Sequence, residues 1–394
     1  VTSIGLVLGG GGARAAYEAG VLRYIARNIR PGGKPVRFDV ITGTSAGAIN
    51  GAWMAAHAGE PGHRADELAD VWASLKVEDI YRVRARDLIR PLHGATGGAC
   101  EVALLDSAPM QELVRRIVPW PNIREAIERG HLTAFAVTTT ELATSRNIVW
   151  IQGRPMDDRL WDGVNPFVRP RPVLMGPEHV LASASIPLLF PPVKVEGRYY
   201  VDGGLGQQTP LRPALRLGAD RLLVISLRRA LDRDEIAQIG DERGDEVPTW
   251  GQVIGKTMNS VLLDKSGHEV ERLNRLNRLI TWGQERYGED FAAHLGEFMA
   301  TERGAPVRKV QALLISPRED LGTLAIRYVL EHRLEPTGML TKMALRTIAR
   351  AGSVSENDLL SFILFDPGFL QEMLESGERD AAARADELEA LFTV

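Results

Sequence analysis

The sequence holds a single cysteine, Cys100, among 394 residues. One thiol excludes an internal disulfide framework and cannot furnish a cysteine metal cluster, and it suits a reducing compartment. Long apolar runs are missing too. Nowhere do about 18 consecutive apolar residues occur, so the chain is not expected to span a bilayer. Neither sign of charge dominates: 47 Lys plus Arg stand against 51 Asp plus Glu, a formal charge of -4. No basic stripe interleaves with aromatics, so the electrostatic footprint of a nucleic-acid binder is absent and no nucleic acid is expected as a partner. His and acidic residues are scattered without ligand spacing, so no metal is expected. Low-complexity tracts and repeats of solenoid period are also lacking. The opening "VTSIGLVLGGGG" has no basic n-region and its short apolar run ends in glycines, so it reads as a strand rather than a signal peptide. Without an initiator Met, whether residues were trimmed upstream stays open.

What remains is long enough for one large α/β domain with a C-terminal addition, or for two domains. Residues 2–8 read as a buried strand, 9–12 as a loop, and 13–28 as a helix with Ala16, Ala19, Gly20 and Ile25 facing inward. "VRFDVIT" then reads as a second strand. The crossover of such a βαβ unit is right-handed, which makes its strands parallel and sets the loops that follow them at one edge of the sheet. Helices are expected over 64–75, 108–117 and 123–129, and strands in "LTAFAVTTTEL", "RNIVWIQG", "YYVDGG" and "RLLVISL". Beyond about Arg228 the chain becomes more charged and helical. A long apolar period over 249–280 carries Val253, Met258, Leu262, Leu273 and Leu276, and a strand-like "KVQALLISP" and terminal amphipathic helices follow. The charged "DRDEIAQIGDERGDE" reads as a solvated linker.

Gly43-Thr44-Ser45-Ala46-Gly47 fits G-x-S-x-G, the strand-to-helix elbow that lifts a serine oxygen above a sheet. Alone the match is weak, since a tight turn before a buried helix uses the same small residues. Context adds weight: a strand precedes it, and "AGAINGAWMAAHAG" behind it can form a helix whose small side chains admit neighbouring backbone. The loop 9–12 closes the first strand of the same βαβ unit and is expected beside the serine. Consecutive glycines let backbone N–H groups turn toward one point, as an oxyanion hole requires. A phosphate loop competes, but G-K-[ST] is absent, and Arg14 and Ala15 stand where the last glycine of G-x-G-x-x-G would fall. The proton acceptor is open at this point. None of the eight histidines stands in a compelling motif, and an α/β-hydrolase triad would place several strands before the serine. Asp202 in "GRYYVDGGLGQQTP" is a carboxylate at a strand end followed by two glycines, although an ordinary Asp-Gly hairpin turn has the same appearance.

Taken in order, "LVLGGGGARAAYEAGVL", "GTSAG", "ASASIPLLFPPV" and "YYVDGGLGQQTPL" resemble the patatin-like phospholipase family, over Ile4 to about Leu227. The resemblance implies an α/β fold, a three-layer α/β/α sandwich, with a catalytic domain over 1–230 and a mainly helical C-terminal extension over 231–394 packing on it. It implies a Ser-Asp dyad without histidine, in which Ser45 is the nucleophile and Asp202 the base. Gly10, Gly11 and Gly12 are then the oxyanion loop and Arg14 its basic support, while Gly43 and Gly47 shape the elbow and Gly203 and Gly204 the turn after the base. Two positions depart from the pattern. Ala15 stands where a glycine usually follows the basic residue, and would narrow the loop if positive φ were needed there; Gln208 replaces the usual Asn before Thr-Pro. The implied activity is hydrolysis of lipid acyl esters through an acyl-enzyme, with no cofactor. Expected partners are a lipid or other acyl-ester substrate, a membrane surface met peripherally and a second copy of the chain, in the cytoplasm or at the membrane periphery. Apolar residues of "AWMAAH", "SIPLLF" and 77–92 either line an acyl channel or are ordinary core. Two other readings stay open: a lipid-binding or regulatory module that keeps the fold without turnover, and an esterase assisted by a later histidine.

Overall fold

The computed structural model describes residues 2–82, 103, 105–154, 161, 167–206, 211–230, 234, 235, 237, 238, 241, 266–303, 307–331 and 357–393. Its strands are β1 (Ile4–Leu8), β2 (Val40–Thr44), β3 (Ala134–Glu141), β4 (Asn147–Gly153), β5 (Val168–Pro172), β6 (Val193–Val195), β7 (Arg198–Asp202), β8 (Arg221–Ile225) and β9 (Gln311–Ile315). They form one sheet in the order β5-β4-β3-β2-β1-β8-β9. β3, β2, β1, β8 and β9 run parallel, and β4 is antiparallel to β3. β7 adds antiparallel to the upper end of β3 and carries β6.

Besides a single turn at Val77–Ile80, the α-helices among the described residues are α1 (Ala16–Asn28), α2 (Ala46–Ala56), α3 (Ala65–Ser74), α4 (Ala108–Ile117), α5 (Trp120–Glu128), α6 (Pro177–Ser183), α7 (Leu211–Arg216), α8 (Ser266–Tyr287), α9 (Phe291–Arg303), α10 (Leu321–Glu331), α11 (Asn357–Ile363), α12 (Pro367–Ala382) and α13 (Ala385–Phe392). Successive strand residues face opposite sides, and that alternation separates two cores. Leu6, Leu8, Ile41, Phe135 and Val137 face one side, where α1–α6 and α10–α13 cover them. Val7, Val40, Ala136, Leu222 and Val224 face the other, beneath α7 and α8. Helices on both faces of a largely parallel sheet make the three layers.

The strands and helices read from periodicity are all present within the described residues, with boundaries shifted by a few positions. The first helix begins with a 3-10 turn, Gly12–Ala15, before α1 proper. Most of the linker candidate at 232–246 lies outside the described residues, as do Cys100, Val253, Met258 and Leu262; the described part of that apolar period is α8, with Leu273 buried. The C-terminal residues enter the same framework. β9 extends the sheet beyond β8, and α12 lies backbone to backbone on α1. A Cβ at Gly20 would collide with Leu374 O, and one at Gly377 with Tyr17 O. Tyr17 Oη donates to Asp380 Oδ2 at 3.0 Å, and Arg23 Nε to Glu378 Oε1 at 2.6 Å.

Candidate active site

β2 runs beside β3 until Thr44 pairs with Thr138, and β7 descends the same flank of β3 until Asp202 pairs with Thr139. The two strands therefore meet end to end. Sheet register thus brings Ser45 and Asp202 together despite their separation in sequence. The Ser45 side chain lies near enough to the Asp202 carboxylate to favour its charged form. Asp202 Oδ1 accepts from Gly204 N–H at 2.7 Å, across the turn that Gly203 and Gly204 form. Both side chains are buried, Ser45 at 4 % exposure and Asp202 at 2 %. Burial pushes the Asp202 carboxyl up to about 6, against Ser45 and the Gly204 N–H, which lower it.

Ser45 has φ 56 and ψ -128, a conformation that costs a residue with a Cβ about 1–3 kcal/mol. Its neighbours hold it there. Ser45 N–H donates to Ser183 Oγ at 2.8 Å, and Ser183 Oγ donates to Thr138 O at 2.7 Å. α2 begins at Ala46, so Ser45 is its N-cap and lies where unpaired N–H groups and the helix dipole favour negative charge. Gly47 must be glycine for packing: a Cβ there would collide with Gly9 O and crowd Leu8. Gly43 in turn faces the backbone of Gly47 and Ala48.

The glycine loop lies against this elbow. A Cβ on Gly10 would stand 2.9 Å from Ser45 Cβ. Gly12 has φ 56, and a Cβ there would also meet Phe362 O. Gly11 O accepts the Arg14 N–H at 3.1 Å, closing the turn. Ala15 sits at φ -67, a region open to any residue, so this departure from the family pattern does not strain the loop. Gln208 lies outside the described residues. Arg14 is buried; its Nε donates to Ser361 Oγ at 2.7 Å and its guanidinium carbon lies 4.5 Å from the centre of the Phe362 ring. Asn50 ties α2 to the same loop and to α3, donating to Ala15 O at 3.1 Å and Glu18 Oε2 at 2.9 Å and accepting from Trp72 Nε1 at 2.8 Å.

A narrow apolar cavity of about 50 Å³ reaches Ser45. Ala46 and Ile49 of α2, residues of α3 and α4, Ile186 and Phe190 line it, together with Phe362, Ile363 and Phe365. Of the stretches left open between channel lining and core, "SIPLLF" lines the cavity with Ile186 and Phe190, and the 77–92 segment with Ile80, its residues 83–92 lying outside the described residues. "AWMAAH" does not line it: Trp53 donates its Nε1 to Arg64 O and belongs to the core, because this stretch begins two helical turns below Ser45. Among the described residues, His57 and His63 bond through Nδ1 to Trp53 O and Met54 O, and His179 Nδ1 accepts from Gly176 N–H.

A profile of the family described as patatin-like phospholipase matches residues 6–215. The chain belongs to that family. An uncharacterised NTE family protein of Mycobacterium bovis is 30% identical over 226 residues, 57% of this patatin-like chain and 49% of that protein. A protein named lysophospholipase NTE1, from Mycosarcoma maydis, is 25% identical over 264 residues, 64% of this chain and 11% of that one. The chain therefore spans about half, or less, of the relatives it matches. Among solved structures, VipD from Legionella pneumophila aligns at a TM-score of 0.30 and 10% identity, over 94% of this chain and 92% of that one. Among the described residues, no helix is long and apolar enough to cross a membrane, and no group of three His, Cys, Asp or Glu side chains is placed to hold a metal ion.

Sequence reasoning missed Ser183, Asn50 and the three C-terminal lining residues. Ser183 lay inside the quoted "ASASIPLLFPPV", whose first serine was the available signal. Nothing local marks Asn50 or Phe362.

Proposed function

We propose that this chain hydrolyses acyl esters of lipids, with Ser45 as nucleophile and Asp202 as general base. The Asp202 carboxylate takes the Ser45 proton as Oγ attacks the ester carbonyl carbon. The oxyanion is held by the N–H of Ala46, at the start of α2, and by N–H groups of the Gly10, Gly11 and Gly12 loop. Collapse expels the alcohol, which leaves with the proton from Asp202. Water then gives a proton to Asp202 and attacks the acyl carbon, releasing the fatty acid and restoring Ser45. Arg14, buried behind the loop, holds its shape through Ser361 and Phe362. The chemistry uses no cofactor.

The observation that carries this reading is the meeting of Ser45, at the end of β2, with the buried carboxylate at the end of β7, which burial pushes up to about 6. A base of that strength deprotonates serine more readily than an ordinary aspartate, and esters ask less of it than amides do. The apolar cavity at Ser45 supports an acyl chain as the group bound. Its volume admits only a few heavy atoms, so a long chain enters as lining side chains move. Membership of the family and the lysophospholipase name of one relative support the lipid class. Ser45→Ala and Asp202→Ala should each lower hydrolysis of a p-nitrophenyl acyl ester by more than about a thousandfold while circular dichroism stays unchanged. Undiminished turnover by either variant would reject the dyad.

A further inference from the structure

The segments that carry Asp202 expose large apolar side chains. Leu142, Phe167, Tyr199 and Leu205 are 49 %, 54 %, 54 % and 41 % exposed. They are neighbours through the backbone: Leu142 N–H donates to Tyr199 O at 3.0 Å, Asn147 N–H donates to Phe167 O at 2.7 Å, and the Asn147 side chain abuts Gly206, next to Leu205. Leu188, 61 % exposed at φ 70, stands on the loop whose Ser185 O accepts the Asp202 N–H and whose Ile186 and Phe190 line the cavity. Single exposed leucines need no explanation, but several on one edge around a reactive group do.

Among the described residues of these segments, basic side chains outnumber acidic ones. Arg146, Arg169, Lys194 and Arg198 surround the apolar residues, with Lys194 Nζ 5.7 Å from the centre of the Tyr199 ring. Two carboxylates stand among them: Glu141 pairs with Arg198 at 2.7 Å and Glu196 with Arg171 at 2.8 Å, leaving Arg146, Arg169 and Lys194 as the cations of the rim. A cationic rim on a chain of net charge -4 is a local feature, not a consequence of composition.

We infer that this edge is an interfacial docking surface for the anionic face of a lipid bilayer. Tyr199 and the leucines enter the headgroup region, and Arg146, Arg169 and Lys194 meet lipid phosphates. Docked in this way, the outer end of β7 and the Leu188 loop, whose Ile186 and Phe190 line the cavity, face the bilayer, so an acyl ester reaches Ser45 without crossing bulk water. The inference rests on the lipid-hydrolase reading but is tested by binding, which does not depend on turnover.

Co-sedimentation of the full chain with vesicles of phosphatidylcholine, with and without phosphatidylglycerol, makes the test. The wild-type chain should partition to the anionic vesicles. Lys194→Gln with Arg146→Gln should weaken that partition about fivefold for each cation removed. Leu142→Ser with Tyr199→Ser should weaken it on both vesicle types, and both pairs should hydrolyse a soluble short-chain ester at the wild-type rate. Equal partition by wild type and both paired variants overturns the inference, as does failure of the wild type to bind. A loss of self-association in the Leu142→Ser, Tyr199→Ser variant with vesicle binding intact also overturns it, in favour of a second copy of the chain. Absence of turnover by the wild type on soluble esters counts against the hydrolase reading alone.

Discussion

Asp202 owes its raised pKa to being dry. Desolvation raises its carboxyl to about 6, whereas in the unfolded chain it titrates near the ordinary aspartate value. The folded state therefore keeps this proton to higher pH than the unfolded one. Stability from Asp202 is full below about 4 and is lost as pH rises through about 6. In the proposed reaction, activity moves the other way, because the base must be ionised. kcat/KM for a soluble ester should rise with pH and level off above about 6; a plateau reached already at pH 4 would contradict the assignment. Asp202→Asn should abolish turnover yet raise stability at pH 8 by on the order of 2 kcal/mol, with little change at pH 4, measured by urea unfolding at both values. The serine elbow is legible in sequence because a G-x-S-x-G run is contiguous and its glycines are demanded by local packing. Ser183 is not legible in that way, since its two partners, Ser45 and Thr138, lie on different strands. Ser183→Ala strands a buried N–H and a buried carbonyl, and should cost about 1–3 kcal/mol in denaturant and lower kcat more than it raises KM.

At the level of elements, the decisive arrangement is the end-to-end meeting of β2 and β7 on one flank of β3. The strands themselves follow from alternation and β-branched content, but their order in the sheet does not. The C-terminal wall is the clearest case. "SFILFDPGF" reads as an apolar run, and only tertiary packing places Phe362 O against Gly12 and Ile363 O on the hydroxyl of Tyr81, at 2.8 Å. Phe365 stands between Trp72 and Tyr81, each ring centre 6.4 Å away. Phe362→Leu should keep the fold and widen the cavity, shifting preference among p-nitrophenyl acyl esters toward longer chains; an unchanged KM series would mean that Phe362 does not bound the acyl site. Gly377→Ala forces α12 away from α1 and should cost about 1–3 kcal/mol in urea unfolding.

For the whole molecule, the family match at 6–215 ends before two strands of the sheet have been laid down. β8 pairs with β1, the strand that delivers the glycine loop, and β9 covers the outer edge of β8. A segment ending at residue 230 would leave that edge bare and the outer face of α1 without α12, so it should fail to fold, whereas the full chain should melt in a single calorimetric transition. The most direct test of the central claim is active-site labelling. After reaction with a fluorophosphonate, peptide mass spectrometry should find the adduct on Ser45 in the wild-type chain and none in Asp202→Asn. An adduct on another residue, or equal labelling of Ser45 in both proteins, would contradict a serine activated by Asp202.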